Sequence, residues 1–120
     1  MYQYNAIVER IVDGDTLDLL IDLGFRTFVK QRVRLYGINT PETFGVKKGS
    51  AEYEAGKAAT RFVYSWLDGE GSEVSIQSHD GKPLGQGKYG RWLVEVLLPN
   101  DPVSLNDALV EAGHAEWVEY

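Results

Sequence analysis

The stretch Arg34-Leu35-Tyr36-Gly37-Ile38-Asn39-Thr40-Pro41-Glu42-Thr43 gathers a guanidinium, two side-chain oxygen donors and a carboxylate around one sharp turn. Pro41 fixes its own φ and pushes Thr40 out of the helical region, so the strand carrying Arg34 is expected to stop here and leave Glu42 on a rigid backbone. Asp15, Asn39 and the Thr40 carbonyl are hard oxygen donors, suited to calcium or magnesium and not to zinc. Glu42 can take a proton from water. Arg34 and Arg91 can each clamp phosphate oxygens with a rigid fork. Such a set would supply positioning, deprotonation and charge neutralisation for attack of water on a phosphodiester.

Strands must carry most of these groups. Asn5 to Val12 reads as a strand that ends at the turn signal Asp13-Gly14-Asp15. Thr16 to Leu23 alternates, with Leu17, Leu19, Ile21 and Leu23 on one face. The chain turns near Gly24, and Phe25 to Leu35 alternates again, which puts Arg26, Lys30, Arg32 and Arg34 together with Phe28 on one side of one strand. Ala55, Ala58, Ala59, Phe62, Val63, Trp66 and Leu67 form a helical apolar stripe. Gly56 leaves the start of that helix open, and Asp68-Gly69 supplies its stop.

A short strand over Glu73 to Ser78 is expected next, then a glycine-rich loop from His79 to Tyr89, then a last strand from Arg91 to Leu98. Pro99-Asn100-Asp101-Pro102 breaks the chain, and Ser104 with Asp107 resembles a capping box that opens a helix ending at Gly113. Three strands, a helix, two strands and a helix fit a mainly β fold with some α structure. The expected architecture is a five-stranded OB-fold Greek-key barrel with two helices packed on it, in one domain over residues 1–120.

Composition bounds the function classes. The chain has no cysteine, which excludes disulfides and thiolate metal sites. Met1 is followed by Tyr2-Gln3-Tyr4-Asn5 without a basic start and apolar run, so no secretory signal is read and an intracellular protein is expected. No segment approaches membrane-spanning length. The net charge of −6 argues against a nucleic-acid partner, but all 12 Lys and Arg lie in residues 1–91 beside 12 of the 18 acids. From Leu23 to Pro41 there are four cations and no acid, so the local field favours phosphate where the net charge does not.

Val12-Asp13-Gly14-Asp15-Thr16, then Arg34 with Asn39-Thr40-Pro41-Glu42-Thr43, then Lys88-Tyr89-Gly90-Arg91, and finally Leu105-Asn106-Asp107-Ala108-Leu109-Val110-Glu111-Ala112-Gly113-His114-Ala115 resemble the successive signatures of the staphylococcal nuclease (thermonuclease) family. The resemblance implies a calcium-dependent endonuclease acting on DNA and/or RNA, single-stranded or flexible, and leaving 3′-phosphate ends. Magnesium or manganese are alternatives to calcium. It further implies Asp15, Asn39 and the Thr40 main-chain oxygen as metal ligands, Arg34 and Arg91 as phosphate clamps, and Glu42 as general base. Lys88 and Tyr89 would contact a nucleotide phosphate. A monomer is expected.

Three departures stand out. Asn39 replaces the aspartate usual in catalytic members, which removes one metal charge and should weaken affinity. The connection from Asp15 to Arg34 is long, and the family's final C-terminal helix is expected to be absent after Gly113. A non-catalytic OB module that binds single-stranded nucleic acid or protein is the alternative reading, and Asn39 is the feature that favours it. Bland readings accompany the rest: Asp13 as a turn residue, the basic strand face as a solvated one, Lys47-Lys48 as an exposed loop, Trp66, Trp92 and Trp117 as packing residues, and His79 and His114 as surface or packing positions.

Overall fold

The computed structural model describes residues 2–83 and 92–119, with the side chains of Tyr2 and residues 79–83 excepted. Lys88, Tyr89 and Arg91 therefore lie outside the described residues. Five strands close a barrel in the order β1-β2-β3-β6-β5: β1 (Tyr2–Asp13), β2 (Thr16–Gly24), β3 (Thr27–Leu35), β5 (Glu73–Pro83) and β6 (Trp92–Leu97). A second, two-stranded sheet pairs β4 (Ile38–Asn39) with β7 (Glu116–Trp117). Helices α1 (Ala51–Leu67) and α2 (Leu105–Glu111) pack against the barrel, which makes this the expected OB-type architecture.

Alternation along β1, β2 and β3 decides which side chains fill the barrel. Val8, Leu17, Leu19, Val33 and Leu35 are fully buried, while Ile7, Glu9, Asp18, Leu20 and Arg32 between and beside them are partly or fully exposed. β3 runs antiparallel to β2 and parallel to β6, where Val33, Arg34 and Leu35 sit opposite Trp92, Leu93 and Val94. That parallel pairing closes the barrel beside Arg34. Val63 and Leu67 of α1 and Leu105 and Leu109 of α2 join the same core.

Several expectations are corrected. Phe25 and Arg26 are turn residues with φ of 53° and 61°, so β3 begins at Thr27 and three of the four cations, not all four, lie along it. The strand after α1 does not stop at Ser78 but continues to Pro83, in what was expected to be loop. Its polar residues carry no alternation signal, yet ladder hydrogen bonds come from the backbone and need none. Helix α1 starts four residues before its apolar stripe, because the Ser50 hydroxyl accepts from the Tyr53 amide and caps it. β4 and β7 carry too few residues to show any period. After α2 the described residues contain β7 and no helix.

Asn106 holds the second helix to the barrel. It is 1% exposed; its amide nitrogen donates to the carbonyls of Tyr36 (2.9 Å) and Val94 (3.1 Å), and its oxygen accepts from the Val96 amide (3.2 Å). One side chain thus bridges the end of β3 and β6, where the Val94 carbonyl also accepts from the Tyr36 amide at 2.8 Å. Asn106→Leu keeps the branched shape but removes all three bonds from a buried position, and urea unfolding followed by circular dichroism should show a loss of about 2–3 kcal/mol.

Candidate active site

Asp15 sits where three segments meet. The carboxylate is 6% exposed; Oδ1 accepts from the Thr16 hydroxyl (3.1 Å), and Oδ2 accepts from the Thr40 amide (3.3 Å) and lies 3.5 Å from Arg34 Nη2. Its carbonyl accepts from the Leu35 amide at 2.9 Å. The β1–β2 turn is thereby joined to the end of β3 and to the turn at Pro41. Asp13 shapes that first turn, its Oδ1 accepting from the Asp15 amide at 3.1 Å.

Arg34 emerges from β3 opposite Thr16 and leans into the same space. Its Nη2 donates to Asn39 Oδ1 as well as approaching Asp15, so a carboxylate oxygen and an amide oxygen converge on one positive group. Arg34 Nε is buried and has no hydrogen-bond partner among the described residues. Such a donor is free to meet an anion. The β4–β7 pairing holds Asn39 opposite Glu116, and the Val118 amide donates to the Gly37 carbonyl at 2.8 Å. Strand β7 therefore braces the turn at Pro41.

Glu42 follows that turn, exposed and without a hydrogen-bond or ion-pair partner among the described residues. Its backbone is fixed by the helix beneath. A Cβ on Gly56 would lie 2.7 Å from the Pro41 carbonyl oxygen, 2.7 Å from Thr43 Cγ2 and 3.1 Å from the Glu42 carbonyl oxygen, so only glycine lets α1 come this close. Gly14 does the same for the first turn, with Thr40 and Ala59 packed over it. Sequence reasoning read Gly56 only as a doubt about where the helix begins. A glycine inside a helical stripe that costs helix propensity was itself a signal of close approach.

The structure brings Asp15, Arg34, Asn39 and Thr40 into contact and places Glu42 two residues beyond. Among the described residues no cluster of three or more His, Asp or Glu could hold a metal, so a cation here would rest on one carboxylate, one amide and backbone oxygen. Arg32, by contrast, is turned to Asp18, with Nε–Oδ1 at 2.8 Å and Nη2–Oδ2 at 3.2 Å, and this bidentate bond holds the Asp18 carboxyl below its usual range. His114 packs tilted against Phe62 with ring centroids 5.1 Å apart, and Trp66 and Trp92 pack on the core. Trp117 is exposed but lies across Gly37.

A small closed barrel with two helices packed on it, whose strand ends and proline turn converge an acid, an amide and a guanidinium, defines the class as an OB-type domain. Residues 32–120 match the family model described as staphylococcal nuclease homologue. A thermonuclease of Staphylococcus intermedius is 37% identical over 95 residues, which cover 79% of this chain and 49% of that protein. Endonuclease YhcR of Bacillus subtilis (strain 168) is 29% identical over 117 residues, covering 94% of this chain and 9% of its own length. The chain thus belongs to the staphylococcal nuclease family, and it spans about half of one curated relative and under a tenth of the other. Asp15 precedes the segment that the family model matches.

Two tests follow from the packing and the charges. Gly56→Ala should gain up to about 1 kcal/mol of helix propensity, yet the contacts at 2.7 Å with backbone oxygen outweigh it. A net destabilisation of about 1–3 kcal/mol in urea is expected. Asp13 has its carboxyl pushed up from 3.8 to about 6, first by burial and then by the hydrogen bond and charge of Asp15. Between those values the folded state binds the proton more tightly, so this group's contribution is full at the lower pH and declines as pH rises through about 6. In chelator, the stability difference between wild type and Asp13→Asn should shift in favour of the variant across that window.

Proposed function

We propose that this domain is a metal-dependent nuclease that hydrolyses phosphodiester bonds of DNA and/or RNA. The reading rests above all on the convergence of Asp15 Oδ2 and Asn39 Oδ1 on the Arg34 guanidinium, beside a turn that presents Glu42. Two oxygens that already share one positive group are suited to a hard cation, and calcium fits an all-oxygen donor set better than zinc. Asp15, Asn39 and the Thr40 carbonyl would hold it. When bound, such an ion lowers the pKa of water and neutralises charge on phosphoryl oxygens.

The chain's own groups divide the remaining work. Glu42, exposed and unpartnered, orients the attacking water and takes its proton. Arg34 meets the phosphoryl oxygens through Nε and the second arm of its fork, which the Asn39 contact leaves available. Arg91 directly precedes β6, whose Leu93 is the strand partner of Arg34, and that chain position supports a second clamp on the same phosphate. Lys88 and Tyr89 are assigned to a neighbouring phosphate by family resemblance. Cleavage leaving 3′-phosphate ends, action on single-stranded or flexible nucleic acid, and a monomeric intracellular protein complete the proposal.

A labelled single-stranded oligonucleotide incubated with calcium should be cut, and chelator should abolish cutting. Glu42→Gln should lower the rate about 100- to 10,000-fold, and Arg34→Gln about 100- to 1,000-fold. Intact oligonucleotide under every condition, with a folded protein that still binds it, would overturn the catalytic reading. The same result would favour the binding module to which Asn39, by removing a metal charge, otherwise points.

A further inference from the structure

The β2–β3 hairpin carries exposed apolar residues for which the barrel has no use. Leu23, Phe25, Phe28 and Val29 are among the exposed large hydrophobic residues, and Phe25 is fully exposed at the tip. Gly24 pairs with Thr27, so Phe25 and Arg26 form a two-residue turn in which both central residues are left-handed, at φ 53° and 61°. Asn-Gly or Asp-Gly would meet that backbone requirement without steric strain. A bulky aromatic held there, stripped of packing, is a strained feature that folding does not need.

The face of β3 that begins beside this tip ends at the reaction centre. Phe28, Lys30, Arg32 and Arg34 project on one side, and Phe28 to Arg34 spans about 20 Å of strand. Nearby acids are already engaged: Asp18 by Arg32, Asp22 by the Gly24 amide at 2.8 Å, and Glu9 near Lys30 at 3.9 Å. Arg26 has no ion-pair or hydrogen-bond partner among the described residues. The neutralised middle leaves cations at both ends and aromatic rings at the far one.

The geometry points to the β2–β3 hairpin as a distal anchor for single-stranded nucleic acid, with Phe25 and Phe28 stacking on bases and Arg26 and Lys30 meeting phosphates several nucleotides from the scissile bond. This rests on the nuclease reading for the position of that bond, but binding at the tip does not depend on cleavage. Base stacking on aromatic rings tolerates any sequence, which suits a nuclease that must act along a strand. Charge complementarity with Arg26, which is unpaired among the described residues, and with the exposed Lys30, which Glu9 approaches only to 3.9 Å, together with continuity with the strand that bears Arg34, favours this occupant over a second copy of the chain.

Fluorescence anisotropy of labelled 20-nucleotide and 4-nucleotide single strands, in a Glu42→Gln background that cuts neither, tests the anchor directly. Phe25→Ala with Phe28→Ala should weaken the longer strand about 30-fold or more and leave the shorter unchanged. Arg26→Gln with Lys30→Gln should reduce the slope of log affinity against log salt by about 1.4 for the longer strand. Phe25→Gly relieves the left-handed backbone, so it should raise the melting temperature by a few degrees while weakening the long strand. Unchanged affinity of the 20-nucleotide strand in all three variants overturns the proposal. Sedimentation showing a dimer that these variants dissociate, with oligonucleotide affinity unchanged, overturns it in favour of self-association. Loss of cleavage by otherwise wild-type protein would instead count against the nuclease reading and leave these binding measurements intact.

Discussion

The carboxylate of Asp15 is the tie on which the site depends. A buried carboxylate is expensive unless its oxygens are satisfied, and here the donors that satisfy it come from Thr16, Thr40 and Arg34. Each belongs to a different stretch of chain: the start of β2, the proline turn and the end of β3. Satisfying one charge therefore fixes three strand ends relative to one another. The cost falls on Asp13, whose burial first, and then its closeness to Asp15, lets it retain its proton to higher pH.

Two glycines let that tie close. Gly14 and Gly56 are places where a Cβ would strike the Thr40 side chain or the Pro41 carbonyl, so α1 and both turns stack with no side chain between them. Bracing from the other side comes from β7, which pairs with β4, and from Asn106, which links α2 to the Tyr36 carbonyl. The turn bearing Asn39, Thr40 and Glu42 thus has a helix beneath it and a strand beside it. Glu42 remains exposed while its backbone is closely packed against α1 at Gly56, the arrangement that the proposed role of a water-activating carboxylate would require.

Much of this was legible in the sequence where one residue's chemistry or one period decides the matter. Alternation revealed β2 and most of β3, the apolar stripe revealed α1, and Ser104 with Asp107 revealed the cap of α2, where the hydroxyl accepts from the Asp107 amide at 3.0 Å. Asp15, Arg34, Asn39 and Thr40 were legible as residues that could share one site because their types limit what they can do, and the structure brings them into contact. Less legible were features that depend on another part of the chain. Nothing local to Ile38-Asn39 announces a partner at Glu116-Trp117, and Asn106 looks like any polar helix residue until β6 and Tyr36 are placed beside it. Polar residues 79–83 read as loop because a backbone ladder leaves no mark on side-chain pattern.

Net charge misleads here for a reason the β3 face makes plain. Electrostatic interactions between exposed charges fade beyond about 10 Å at ordinary salt, so what a phosphate meets at Arg34 is set by the nearest groups, among them Glu116, which β7 pairs opposite Asn39, and not by the sum over the chain. Close pairs matter more, and the closest is Asp18 with Arg32, which removes one cation from the middle of the face. A uniformly basic face would hold a polyanion anywhere along its length. Under the proposed reading, the interruption would leave Arg34 as the contact at the site and the hairpin cations as a separate one, so charge would act to place a phosphate and not merely to collect it. On that argument the acidic balance of the chain is compatible with a nucleic-acid substrate, because it suppresses attraction where no chemistry can occur.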